Sequence, residues 1–126
     1  MSQATSFKRH HVYELTSPLT NPARPNNPIR YALVVTSNEF TRRREQPLVT
    51  VLFLRPEVNR DRATDLRVKI ACRANGGTVH LPYDHHVLVD SLTPLPFARL
   101  AAHTGMEISE YEKNDVDRKL RGWLDL

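Results

Sequence analysis

Cysteine is nearly absent: the chain of 126 residues carries one, Cys72. An internal disulfide is thereby excluded, and a reducing cytoplasm is the expected compartment. With nothing nearby in the sequence to hold a thiolate, Cys72 reads as a small, half-buried strand residue rather than a nucleophile. No apolar run approaches the ~18 residues that cross a bilayer, and the leader MSQATSFKRHH lacks the apolar core of a signal peptide. A Gly-rich phosphate loop, a G-x-S-x-G elbow and a C-x-x-C pair are missing too, so the site classes built on them are set aside. Lysine is also scarce. Of eighteen cations fourteen are Arg and four are Lys, on a formal charge of +4 and a pI of about 9.6. The planar guanidinium fork matches phosphate and carboxylate, so the bias leans towards an anionic partner, nucleic acid or acidic peptide. A GC-rich genome gives the same bias with no partner at all.

The length and the 40% hydrophobic, 25% charged composition describe one soluble domain, residues 1–126, with a single core. Strands are expected at residues 11–15, 29–36 and 48–54, where β-branched apolar runs are too short for helices. Between the first two lies TSPLTNPARPNNP (16–28), with four of the nine prolines, which reads as a long loop. SNEFTRRREQP (37–47) is a second polar loop, and PEVNRDRATD (56–65) a third. LRVKIACR alternates: Val68, Ile70 and Cys72 point one way, and Arg67, Lys69 and Arg73 the other. Asn75-Gly76 signals a hairpin turn into a return strand at 78–81, followed by a strand at 86–90. Helices are expected at 94–105, from Pro96 towards Gly105, and after Ser109, with Glu112 at the capping-box position. The last segment sets Val116, Leu120, Trp123 and Leu124 on one apolar face. Strands first and a helix last imply an α+β fold with a mostly antiparallel sheet.

The histidine doublets His10-His11 and His85-His86 cannot chelate as pairs, because neighbouring strand side chains face opposite ways. No metal site or other cofactor is expected. Arg67, Lys69 and Arg73 form either a solvated edge or a platform for a phosphate backbone. Arg42, Arg43 and Arg44 add a second cationic patch. Arg30 stands directly before the apolar run YALVV, either as the anchor of a phosphate or as the partner of a loop carboxylate.

"HVYEL", the Pro-rich loop and "IRYALVVTSNEF" together resemble the start of the MazF/PemK toxin family. "VLVDSLTPLPFARL" resembles that family's strand-to-helix junction, and "GMEISEYEKNDVDRKLRGWLDL" its terminal helix. The resemblance spans nearly the whole chain. It implies a small, strongly twisted, barrel-like sheet with a short helix and a C-terminal helix. It also implies a homodimeric cytoplasmic toxin that cleaves single-stranded RNA without metal, and an antitoxin partner with an acidic, disordered segment. By that likeness Arg30 matches the arginine that holds the scissile phosphate, and Asp90 matches an acidic residue some members use. The chain departs from the pattern at Tyr31, where the family has proline, and at Leu88, where some members have arginine. The family's catalytic threonine falls near Leu54 or Arg55. Arg55 and Arg24 are candidates for further phosphate contacts, and Asp90 and His86 for the general base. The terminal "WLDL", with Trp123 and Leu126, resembles instead the gyrase-poisoning CcdB toxins of the same fold. That likeness implies partner poisoning, and a third alternative is a catalytically inactive family member that only binds nucleic acid or antitoxin. Trp123 also lies on the apolar face of its helix, which suits a core or dimer contact.

Overall fold

The computed structural model describes residues 7–20, 28–41, 48–56 and 66–126. Seven strands and two helices follow one another as β1 (His11–Leu19), β2 (Ile29–Val34), α1 (Asn38–Thr41), β3 (Leu48–Pro56), β4 (Arg67–Ile70), β5 (His85–Leu88), β6 (Thr93–Pro96), β7 (Leu100–Glu107) and α2 (Glu110–Leu124). The strands form one antiparallel sheet in the order β4-β5-β3-β2-β1-β7, with β6 pairing the first half of β3. Among the described residues this path is open at both ends, so the sheet is twisted rather than closed into a barrel.

The central strands are apolar on both faces because both faces are covered. On one side Val12, Leu33, Leu52, Leu54, Val68, Ile70 and Val87 pack with Ile108 and with Val116 of α2. On the other, Phe7, Tyr13, Ala32, Val34, Val49, Val51 and Phe53 close against Leu95 and Leu100. Where β3 changes partner from β6 to β5, Ser91 fills the gap. Its Oγ accepts from the Phe53 N–H at 2.9 Å and donates to the Leu88 carbonyl at 2.6 Å. Helix α2 begins as the sequence specifies. The Ser109 side chain accepts from the Glu112 N–H while the Glu112 carboxylate accepts from the Ser109 N–H, a complete capping box. Glu112 also accepts from the Ala71 N–H at 2.9 Å, which ties the helix start to the end of β4.

Four expectations are corrected. Residues 94–105 do not form a helix: they make β6, a 3₁₀ turn at Phe97–Arg99 and most of β7. Pro94 and Pro96 push the residues before them towards extended backbone, and Thr93 and Leu95 pair with Val51 and Val49. Gly105 does not end a helix but passes beneath Tyr13, where a Cβ would come within 2.7 Å of the ring. The return strand at 78–81 is a single bridge, Cys72 to Val79, after a 3₁₀ turn (Arg73–Asn75) that Gly76 closes at φ +92°. Strand β1 runs on into the Pro-rich stretch as far as Leu19. It does so through an irregularity in its register between Glu14 and Leu19, where Pro18 needs no ladder donor. Lastly, Val116 is buried and Leu120 packs on the core, but Trp123 and Leu124 beyond them are largely exposed, so the apolar face of α2 outruns the sheet.

Candidate nucleic-acid interface

The strand pairings bring scattered residues into one line. Tyr31 of β2 lies opposite Leu54 of β3, and the same register carried one residue further sets Arg30 opposite Arg55. Arg55 lies opposite His86 of β5, and His86 opposite Lys69 of β4. Opposed residues share a sheet face with Cβ atoms about 4.5–5.5 Å apart. Arg30, Arg55, His86 and Lys69 therefore form a row across four neighbouring strands. Arg30 and Lys69 are exposed, Arg55 is half-buried and His86 is buried. Leu54, the alternative to Arg55 at the threonine position, is fully buried in the core, so it is Arg55 that faces the row.

An acidic clamp stands at one end. Asp84 is buried and accepts from the Cys72 N–H at 2.8 Å and from Asn75 Nδ2 at 3.1 Å, with Lys69 Nζ 3.6 Å away. Burial alone would raise its pKa. The hydrogen bonds from Cys72 and Asn75 and the charge of Lys69 outweigh that and hold the carboxyl at about 2.

Beside the row, on the other face of the same strand ends, lies an aromatic group. Tyr31 meets His85 edge-on at 5.3 Å, and Tyr83 stacks on His85 at 5.2 Å with the rings 3° from parallel. His85 Nδ1–H donates to the Tyr83 carbonyl at 2.9 Å. Burial pushes the His85 pKa down and His86 adds to this, against the Tyr83 hydrogen bond and Asp84, so the ring is held neutral. The Tyr31 phenol is shifted up by burial and by Glu14 and Tyr83, with Arg30 opposing, so it feels Glu14, Tyr83 and Arg30 together. Glu14 lies directly opposite Tyr31 on β1 and is exposed.

The remaining sequence candidates lie elsewhere. Asp90 follows β5 and pairs with Arg67 at 2.9 Å. Asp90 lies in the turn after β5, and Arg67 lies two residues before Lys69 on β4, so this pair stands one step along the strands from the row. Arg73 is exposed on the 3₁₀ turn after β4. Trp123 is 50% exposed and Leu126 87% at the end of α2. Trp123 borders a groove of about 420 Å³ shared with Leu66, Arg118, Lys119 and Gly122. Arg24, Arg42, Arg43 and Arg44 lie outside the described residues. Among the described residues no three His, Cys, Asp or Glu side chains group as a metal site requires, and no helix is long and apolar enough to cross a membrane. Sequence reasoning did not reach Tyr83 and Glu14, and took His85 only as half of a doublet that cannot chelate. The available signal was the i, i+2 spacing of Tyr83 and His85, which places both on one side of an extended chain.

The fold is a small, open antiparallel sheet with a capped terminal helix and an arginine-centred row at its strand ends. The family model for the "PemK-like, MazF-like toxin of type II toxin-antitoxin system" matches residues 8–124, and the chain belongs to that family. Solved structures agree on the fold. An endoribonuclease from mycobacterial species superposes with a TM-score of 0.64 at 19% identity, covering 96% of this chain and 93% of that one. A mycobacterial endoribonuclease in complex with its cognate antitoxin gives 0.65 at 18% identity, covering 96% and 97%. Among curated proteins none matches the chain.

Proposed function

We propose that this chain is the toxin of a type II toxin–antitoxin pair, a cytoplasmic homodimer that cleaves single-stranded RNA without a metal cofactor. The observation that carries the reading is the row Arg30–Arg55–His86–Lys69, assembled by three consecutive strand pairings. Family membership supports it. In such a cleavage the ribose 2′-oxygen bonds to phosphorus as its proton leaves to a base. The bond to the 5′-oxygen then breaks, and that oxygen takes up a proton, giving a cyclic phosphate and a free 5′-hydroxyl. Negative charge builds on the non-bridging oxygens between these events. The planar guanidinium forks of Arg30 and Arg55, carried at opposed positions of neighbouring strands, are shaped to receive it, which is electrostatic stabilisation. Arg55 takes the position the family gives to threonine, and replaces a neutral hydrogen-bond donor by a charged fork. Of the two candidate bases, His86 flanks Arg55 with its ring buried, and Asp90 is engaged with Arg67.

The test is incubation of a long unstructured RNA with the purified protein in a chelator, beside Arg30→Ala and Arg55→Ala. Discrete cuts by the parent chain that vanish in both variants are expected. Intact RNA with a folded parent chain overturns the reading. The arginine surface also calls for an antitoxin whose acidic segment folds over it, and co-purification with the product of an adjacent acidic reading frame checks this.

The exposure of Trp123 and Leu126 favours one second reading, a toxin that seizes a protein such as gyrase through its C-terminal residues. Growth inhibition that survives Arg30→Ala but is lost on removing residues 123–126 supports that alternative.

A further inference from the structure

We propose that Tyr83, backed by His85, is a stacking platform for one unpaired base of the RNA whose phosphate the arginine row holds. The inference rests on the ribonuclease reading above and adds to it a base-binding subsite.

Three observations carry it. First, Tyr83 is 49% exposed although its ring is already stacked on another. Second, the backing is rigid. His85 is 2% exposed and is held by its hydrogen bond to the Tyr83 carbonyl and by the edge of Tyr31. Asp84, between the two stacked residues, is fastened to Cys72 and Asn75, so the segment carrying Tyr83 is tied to the turn after β4. A platform already ordered in the free protein loses little conformational freedom on binding. Third, the platform adjoins the cations. His85 lies opposite Pro56, and the next residue, His86, lies opposite Arg55 on the other face, so platform and row meet at the same strand ends. A flat aromatic on one face of the strand ends and a cationic row on the other match a ligand that alternates rings with phosphates and passes round those ends. A single strand fits because its bases have free faces, whereas those of a duplex are stacked on one another.

The experiment measures binding of an uncleavable 2′-O-methyl oligoribonucleotide of mixed sequence, and kcat and KM on cleavable RNA, for the full chain and three variants. Tyr83→Phe, which keeps the ring, retains affinity. Tyr83→Ala and Tyr83→Leu, which remove it, weaken binding roughly five- to a hundred-fold, the range for loss of one base–aromatic stack. The loss falls on Kd and KM more than on kcat. Abasic substitutions walked along the oligonucleotide add a readout independent of folding. One position weakens binding to the parent chain, and in Tyr83→Leu that position no longer matters. Equal affinity of all variants, or an abasic walk with no sensitive position, overturns the platform while leaving the ribonuclease standing. A parent chain that neither binds nor cuts RNA overturns the ribonuclease reading, and the platform with it.

Discussion

Arg55 stands opposite His86, and the register of β2 carries Arg30 to its other side, so two guanidiniums share one end of the sheet. The backbone ladder fixes the spacing of the two strand positions from which these side chains leave. Arg30 is exposed and packs no core, so its loss leaves the fold intact. Arg30→Ala is expected to lower kcat by about 10²–10³, the cost of removing one transition-state donor, with a thermal midpoint close to the parent's. Arg30→Lys is expected to recover part of this at most, since an ammonium cannot grip two oxygens in a plane. Steady-state cleavage kinetics beside a melting curve check both. Gly105 predicts the opposite phenotype. A Cβ there lies 2.7 Å from the Tyr13 ring, so Gly105→Ala forces the ring or the strand to move. It should cost about 1–3 kcal/mol in urea unfolding, with activity per folded molecule unchanged.

At the scale of elements, α2 and the segment between β4 and β5 are held by polar contacts that the sequence writes locally. Ser109→Ala removes the acceptor of the Glu112 N–H and should cost about 1 kcal/mol. Glu112→Ala should cost more, because the same carboxylate also serves the Ala71 N–H. Asp84 makes stability depend on acid. Its carboxyl titrates at about 2 in the fold against an ordinary 3.8, so the unfolded chain binds the proton more readily. The contribution is therefore fully present above about pH 5 and is lost as pH falls from about 4 through 2. Unfolding followed against pH should show that slope, and Asp84→Asn should flatten it. The helix expected at 94–105 shows where local reading misleads. Ala101-Ala102 favours helix, but Pro94 and Pro96 fix extended backbone first, and the partners β3 and β1 then take up the chain.

For the whole molecule, the sheet is buried on both faces, with α2 on one side and Phe7, Leu95 and Leu100 on the other. Leu33 and Leu52 lie opposite one another and are fully buried. Leu52→Ala should cost about 2–5 kcal/mol, measured by denaturant unfolding. The rigid sheet sets the spacing of the cations, and their combined field makes RNA affinity salt-dependent. Each phosphate neutralised contributes about −0.7 to the slope of log K against log salt for a single strand. Arg30→Ala should make that slope shallower by about one such increment in a titration with uncleavable RNA.

Much of this protein is legible along the chain. β-branched runs name the central strands, and alternation assigns Val68, Ile70 and Cys72 to the core. Ser109 and Glu112 announce the helix start, and Arg30 before an apolar run marks a charged strand end. These features depend on neighbours within a few residues, where dihedral preference and periodicity act directly. The tertiary structure alone decided that Arg30, Arg55, His86 and Lys69 stand in one row, that Asp90 faces Arg67 instead, and that Tyr83 and His85 sit beside the row. It also decided that 94–107 joins the sheet and that Trp123 lies beyond the packed part of its helix. Those outcomes depend on strand register, and register is set by burying two apolar faces at once. That constraint links residues far apart in the chain, as His11 and Glu107 are linked in β1 and β7.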